Sequence, residues 1–443
     1  MTPKSDKHFF HSVVYGVVAK MAVHLRSAIE LLILFVVCQV SSAVLPSYIG
    51  NRLIGIVERT DLIKHYFSLG LQYSEILAFL LSFHGIQLSL RQLRRILRRE
   101  GLRRRKDHSD IEQVINTIET ELEGSGNRIG YRQMHQRLRN DYGLVVQKEI
   151  VREIIKELDP VGVQARSSKR LRRREYRAKG PNYIWHIDGY DKLKPFGFCI
   201  HGGIDGYSRR ILWLEVGCTN NNPKIIANYF TDCIRQIGGV PRIVRADAGT
   251  ENISVAGIQR FLRSGTEDAF SGEKSFLYGR SVSNQRIEAW WSFLKKSNAS
   301  WWIDFFKDMR DEGVFCDHDP IHVDCLRFCF MPLMQQELHT VAKQWNLHNI
   351  RPSHNAESPS GRPDILYFVP SWTDTRDYMT EVDLDDIDII EDVCCDRTSP
   401  THCSDECREL VDIIMQEQHL QIPTNAQEAR DLFVDLVYHI ENT

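Results

Sequence analysis

Residues 242–252 read RIVRADAGTEN. The apolar residues Ile243, Val244 and Ala246 lead to Asp247, and Gly249 follows two residues later. Such a run predicts a short strand that delivers a carboxylate to the end of a sheet, after which Gly249 lets the chain turn away. A carboxylate there is costly unless something cationic meets it. Upstream, NPKIIANYFTDCIRQIGG predicts an amphipathic helix, with Asn222 as its N-cap and Gly238-Gly239 as its stop. Downstream, SVAGIQRFLRS predicts a second helix. Further out, FGFCIHGGIDGYSRRILWLEVG predicts a hairpin with DGYS at the turn, and YIWHIDGYDKL a strand. NQRIEAWWSFLKK predicts a long helix starting near Asn284. Strands first and strand–helix alternation afterwards indicate an α/β layered fold.

Three carboxylates sit on these rigid elements: Asp188 in the first strand, Asp247 at the end of a later one, Glu288 in the first turns of the long helix. Phosphoryl transfer uses such a convergence, because two divalent cations can activate an attacking oxygen and stabilise a leaving one. Mg²⁺ takes oxygen ligands and needs only one or two carboxylates beside water and phosphate. Two Mg²⁺ or Mn²⁺ ions on Asp188, Asp247 and Glu288 are the expected cofactors.

WHIDGYDKL, IDGYSRRIL, RADAGTEN and NQRIEAWWSFLKK resemble the retroviral integrase catalytic core and the related insertion-sequence and eukaryotic transposases. The resemblance implies a ribonuclease H-like core, with a mixed five-stranded sheet flanked by helices. It implies a catalytic triad of Asp188, Asp247 and Glu288 that cuts element ends and joins 3′-hydroxyls to target DNA. The gaps between the three acids hold 58 and 40 residues. GYRQMHQRLRNDYG resembles the helix-turn-helix ahead of such cores, and HNIRPSHNAESPSGRPD the segment that follows them. Asn252 stands where the family has an aromatic, Tyr190 where it has a small residue or threonine, and the N-terminal zinc domain of retroviral integrases is not seen.

Residues near the triad are weighed by geometry. Ser292 and Lys295, four and seven positions after Glu288, share its helix face and are candidate DNA contacts, whereas Lys296 faces away. Trp290 and Trp291 are expected in the core. Asp191 is placed on the opposite face of its strand from Asp188, Asp205 is expected to cap the turn, and Glu251 is a weak candidate for a hydrogen bond beside Asp247. Cys316, His318, His322 and Cys325 match no zinc spacing, nor do the cysteines at 394–407.

Toward the N-terminus, residues 58–106 and 110–160 predict two helix-turn-helix-like, all-α units, broken by Gly70, Gly85, Gly130 and Gly143. Arg94, Arg95, Arg98 and Arg132 would meet phosphates, and Gln92 or Arg95 could reach base edges. Residues 161–182 predict an extended basic linker that includes Arg172 and Arg173, able to track a backbone or serve nuclear import. The core and its helical extension span 183–370.

Charge is strongly segregated. Residues 91–180 hold 24 Lys and Arg against 13 Asp and Glu, while 371–443 hold 4 against 19. The basic half implies a polyanionic partner, DNA rather than a small molecule. The acidic tail is expected to be solubilising or autoinhibitory, partly disordered, with a small helical element. Eleven scattered cysteines argue for a reducing compartment. Residues 1–57 form a leader whose run ELLILFVVCQVSSAVL resembles a signal-peptide core, so a nuclear protein is expected, with cytoplasmic or membrane-targeted placement as alternatives. Pairing two DNA ends implies a homo-oligomer. The competing functional readings are a host-retained, catalytically silent DNA-binding protein and, more remotely, a nuclease acting on RNA–DNA hybrids.

Overall fold

The computed structural model describes residues 58–103, 108–166, 178–279, 284–352, 359–396, 399 and 401–442. The leader at 1–57, and with it the question of a signal segment, lies outside the described residues, as do Arg172 and Arg173. No helix among the described residues is long and apolar enough to cross a membrane.

Helices α1 (Arg59–Ser68), α2 (Tyr73–His84) and α3 (Leu90–Arg99) come first. Ser89 caps α3 by accepting from the Gln92 amide, and the Gln92 side chain accepts in return from Ser89 N at 2.8 Å. The three helices close around Ile63, Tyr66, Phe79, Leu93 and Leu97. Helices α4 (Ile111–Glu123), α5 (Tyr131–Asn140) and α6 (Lys148–Leu158) enclose a separate small core of Val114, Ile118, Met134, Leu138 and Val151. A further helix, α7 (Pro160–Arg166), corrects the expectation of an extended chain from residue 161. Pro160 opens it at a position that needs no N–H, and Asp159 Oδ1 accepts from Gly162 N at 2.9 Å.

The sheet follows: β1 (Trp185–Tyr190), β2 (Cys199–Asp205), β3 (Ile211–Gly217), helix α8 (Pro223–Ile237), β4 (Gly239–Val240), β5 (Val244–Asp247), helix α9 (Ile253–Leu262) and β6 (Phe276–Gly279). Five strands pair in the order β3-β2-β1-β5-β6, the first two junctions antiparallel and the last two parallel. This mixed sheet flanked by helices is ribonuclease H-like. Asp205 closes the β2–β3 turn: its carboxylate accepts from Ser208 N and Oγ, both at 2.7 Å, and from Asn182 N at 2.9 Å. Burial pushes its pKa up to about 6 even so, because these donors only partly replace water.

Alternation along β1 sends its side chains to two layers. Trp185 and Ile187 join Trp213, Phe230 of α8 and Val255 of α9. Tyr190 joins the opposite layer with Ile200, Leu214, Trp290 and Trp291. That layer is completed by α10 (Gln285–Leu294), a π-helical turn at Lys295–Ala299, α11 (Ser300–Asp311) and α12 (Pro320–Leu347). Helix α12 runs along the β3 edge and supplies amides where a neighbouring strand would be. Gln335 bonds Val216 N at 2.8 Å and Leu214 O at 3.0 Å, and Asn346 bonds Ile211 N at 2.8 Å and its carbonyl at 3.0 Å. An edge strand that would otherwise invite pairing is thereby satisfied.

The remaining elements are α13 (Pro363–Phe368), β7 (Thr380–Glu381), α14 (Leu384–Cys394), α15 (Asp405–Glu417) and α16 (Ala426–Glu441). They show the acidic tail folded onto the core. Strand β7 pairs with β4, Arg235 of α8 bonds Glu391 of α14 at 2.8 Å, and Phe433 and Leu436 of α16 enter the layer beneath α12. Amphipathic patterning outweighs net charge here, since each helix buries an apolar stripe, and the one acid buried on α14, Glu391, is met by Arg235.

Candidate active site

The parallel register between β1 and β5 places the first two acids. Trp185 lies opposite Val244 and His186 opposite Arg245, so two residues further on Asp188 and Asp247 fall side by side and point to one face. The third acid arrives on α10, whose start is bolted to β1. Asn284, 1 % exposed, donates from Nδ2 to Ile187 O at 2.8 Å, and its Oδ1 lies 2.7 Å from His186 Nδ1. Burial pushes the His186 pKa down to about 3, so the ring is neutral and its Nδ1–H is the donor to Asn284. One turn later stands Glu288.

Asp188 feels the other two carboxylates. Burial, followed by the charges of Glu288 and Asp247, pushes the Asp188 pKa up to about 7, against the hydrogen bond from Trp291. The Trp291 indole donates from Nε1 to Asp188 Oδ2 at 2.9 Å. Among the described residues, neither Asp188 nor Asp247 is in an ion pair with lysine or arginine. Asp247 Oδ1 accepts from Asn252 Nδ2 at 3.2 Å, and the same amide reaches Glu251 Oε1 at 2.9 Å. Burial and the charge on Asp247 raise the Glu251 pKa, so Glu251 is a fourth carboxyl at this edge. Gly249 has ordinary extended torsions (φ −74°, ψ 149°), which corrects its role as a turning point. A Cβ there would lie 1.9 Å from Glu251 Oε1, so the absent side chain makes room for that carboxylate.

The other expected positions are distributed as follows. Ser292 and Lys295 are exposed on α10 and at its end. Trp290 and Trp291 are buried at 1 % and 5 % exposure. Asp191 accepts from Asn220 Nδ2 at 2.7 Å, and its charge reaches Glu251. Arg94, Arg95, Arg98 and Arg132 are exposed, and Gln92 has its carbonyl engaged in the α3 cap, which lessens its fitness for a base edge. Cys325 is buried in the core, Cys316 is exposed, and His318 projects into solvent beside Asp317. The set therefore does not converge as a zinc site. His322 instead groups with Asp319 and Glu441.

Residues 175–362 match the family model of the integrase core domain. The matched integrase-core segment contains β1 to β6, α10 and all four carboxyls just described. The chain matches no curated protein.

Sequence reasoning passed over Trp291, Asn284, His186 and Asn252 as parts of the site. Trp291 stands three residues after Glu288, a spacing that shares a helix face as well as the spacing of four does, so its signal was present. Asn252 was visible as a departure from the family pattern. The pairing of His186 with Asn284 has no local signal.

Proposed function

We propose that the protein is a DDE-type polynucleotidyl transferase, an integrase or transposase that cuts DNA ends and joins them to target DNA. One observation carries the reading: the parallel pairs Trp185–Val244 and His186–Arg245 put Asp188 and Asp247 at matching positions two residues further on, and the charges of Glu288 and Asp247 both act on Asp188.

The residues fit a pair of hard cations. Every candidate ligand is a carboxylate oxygen, the donor class that Mg²⁺ and Mn²⁺ take. Asn252 Oδ1 is buried without a hydrogen-bond partner, an acceptor left over beside Asp247. Asp188 and Asp247 would hold one ion and Glu288 would help to hold the second. Bound ions would supply charge stabilisation at the attacking and leaving oxygens. The chain itself supplies rigidity: Asn284 fixes the start of α10, Trp291 holds Asp188, and Asn252 holds Asp247 and Glu251.

DNA contacts on this reading come from Lys295 and Ser292 beside the carboxylates and from Arg94, Arg95, Arg98 and Arg132 on the helical units. Arg172 and Arg173 belong to the same proposal through the charge of residues 161–182. Joining two ends calls for a homo-oligomer, and a DNA substrate calls for nuclear residence in a eukaryote.

The test is a strand-transfer assay on the purified full chain with its own element ends and Mg²⁺ or Mn²⁺. Wild type should join DNA and Asp188→Asn should not. Equal joining by the two, or joining by neither, sinks the catalytic reading. Salt-sensitive DNA binding with no metal requirement then favours the silent DNA-binding protein.

A further inference from the structure

We infer that Trp291 is a positioning residue for Asp188: its indole N–H holds one carboxylate oxygen and presents the other to a bound divalent cation. The inference rests on the proposed metal-dependent function and concerns how the chain aims one ligand. Three observations converge on it. The first is the 2.9 Å hydrogen bond from Trp291 Nε1 to Asp188 Oδ2. Indole donates and never accepts, so Trp291 takes up a lone-pair site on Oδ2 and leaves Oδ1 as the oxygen it does not engage.

The second observation lies across the sheet. The residue opposite Asp188 on β2 is Gly202, and a Cβ on Gly202 would come within 3.0 Å of Trp291 Cη2. The ring therefore lies over a cross-strand position that has no side chain. A larger residue at 202 would push the ring outward and draw its N–H from Asp188.

The third observation is the rigidity of the ring. Trp291 is 5 % exposed and packed between Tyr190 and Trp290, each with ring centroids 5.4 Å away. A donor held on three sides keeps its partner in one orientation, as outer partners of metal ligands do. Trp291 stands on the helix that carries Glu288, so a single element supplies one acid and aims another.

The experiment measures Mn²⁺ binding to the full chain without DNA, by electron paramagnetic resonance of the free ion. Wild type, Asp188→Asn, Trp291→Phe, Gly202→Ala and Trp290→Phe are compared. Asp188→Asn should abolish binding at the site. Trp291→Phe and Gly202→Ala should each weaken it about tenfold or more, the usual effect of losing such a partner. Trp290→Phe, which keeps an aromatic ring against Trp291 and removes an indole N–H that has no hydrogen-bond partner, should bind as wild type does. Unchanged Mn²⁺ affinity in Trp291→Phe overturns the inference, as does equal weakening by Trp290→Phe, which would make packing the cause. No Mn²⁺ binding by wild type overturns the metal-site reading and the inference with it, whereas a loss confined to Asp188→Asn overturns the inference alone.

If Trp291→Phe does not fold, the wild-type indole resonances decide. One of the eight tryptophan N–H signals should shift on adding Mg²⁺ and stay still in Asp188→Asn. The absence of such a signal overturns the inference.

Discussion

The Asn284 side chain and the His186 ring meet 2.7 Å apart, fully buried, and tie the helix that bears Glu288 to the strand that bears Asp188. The contact is fully satisfied. Asn284 accepts from the ring and donates to Ile187 O at 2.8 Å. Replacing Asn284 by alanine takes the amide acceptor from the His186 N–H and the amide donor from the Ile187 carbonyl inside the protein. Each orphaned group costs about 1–3 kcal/mol. Asn284→Ala should therefore lower stability in urea by roughly 2–6 kcal/mol on the same basis. It should also lower strand transfer about a hundredfold under conditions where the variant stays folded, since small misplacement of a catalytic group has effects of that size. Full strand transfer by a folded Asn284→Ala would remove Asn284 from the account of how Glu288 is placed.

Asp188 makes stability depend on pH in a definite direction. Burial and the charges of Glu288 and Asp247 hold its folded pKa at about 7, above its ordinary value. The folded chain thus keeps a proton that the unfolded chain releases near pH 4. The stability contributed by that proton is complete below the unfolded pKa and is lost as pH rises through 7. Without divalent cations, unfolding free energy should fall by on the order of a few kcal/mol between pH 4 and 8 from this group. Asp188→Asn should flatten that part of the profile. Mg²⁺ should raise the melting temperature at pH 8 more than at pH 5, because a cation binds the ionised carboxylate. Asp205 and Glu251 shift in the same direction, so the difference between wild type and Asp188→Asn is the quantity that isolates Asp188. Identical profiles for the two would contradict the assignment.

Which parts were legible follows from which forces are local. Asn222 caps α8 by accepting from Lys224 N at 3.0 Å, and Gly238 ends it at φ 85°, both set by residues within one turn. Asp205 closes its turn by bonds that span three residues. The three acids could be placed on their elements for the same reason. The contact of Trp291 with Gly202 was out of reach, because it joins residues 89 positions apart in the chain. The packing of the acidic tail was hidden by its charge. Counting acids gave no view of Phe433, Leu436 and Ile387, which carry that packing from two helices. The π-helical turn after α10 has no signature in KKSNA.

The exposed arginines of α3 offer a separate test. Arg94, Arg95 and Arg98 form no ion pair with a described residue, whereas the neighbouring Arg99 is paired with Glu100 at 3.2 Å. Unpaired guanidinium groups along one exposed helix are ready to replace counterions on a phosphate backbone. Each phosphate so neutralised contributes about 0.9 to the slope of log K against log salt for duplex DNA. Arg94→Ala, Arg95→Ala and Arg98→Ala combined should therefore reduce the slope by about 2–3. Affinity should fall for all sequences alike where these groups meet phosphate, and selectively where Arg95 reads a base edge. Stability should change little, because exposed positions away from caps and cores are worth within about 0.5 kcal/mol. Titrations of the full chain with labelled duplex at several salt concentrations give both quantities. An unchanged slope would mean that α3 does not lie on DNA, and the basic charge of the chain would then have to act through the other positions.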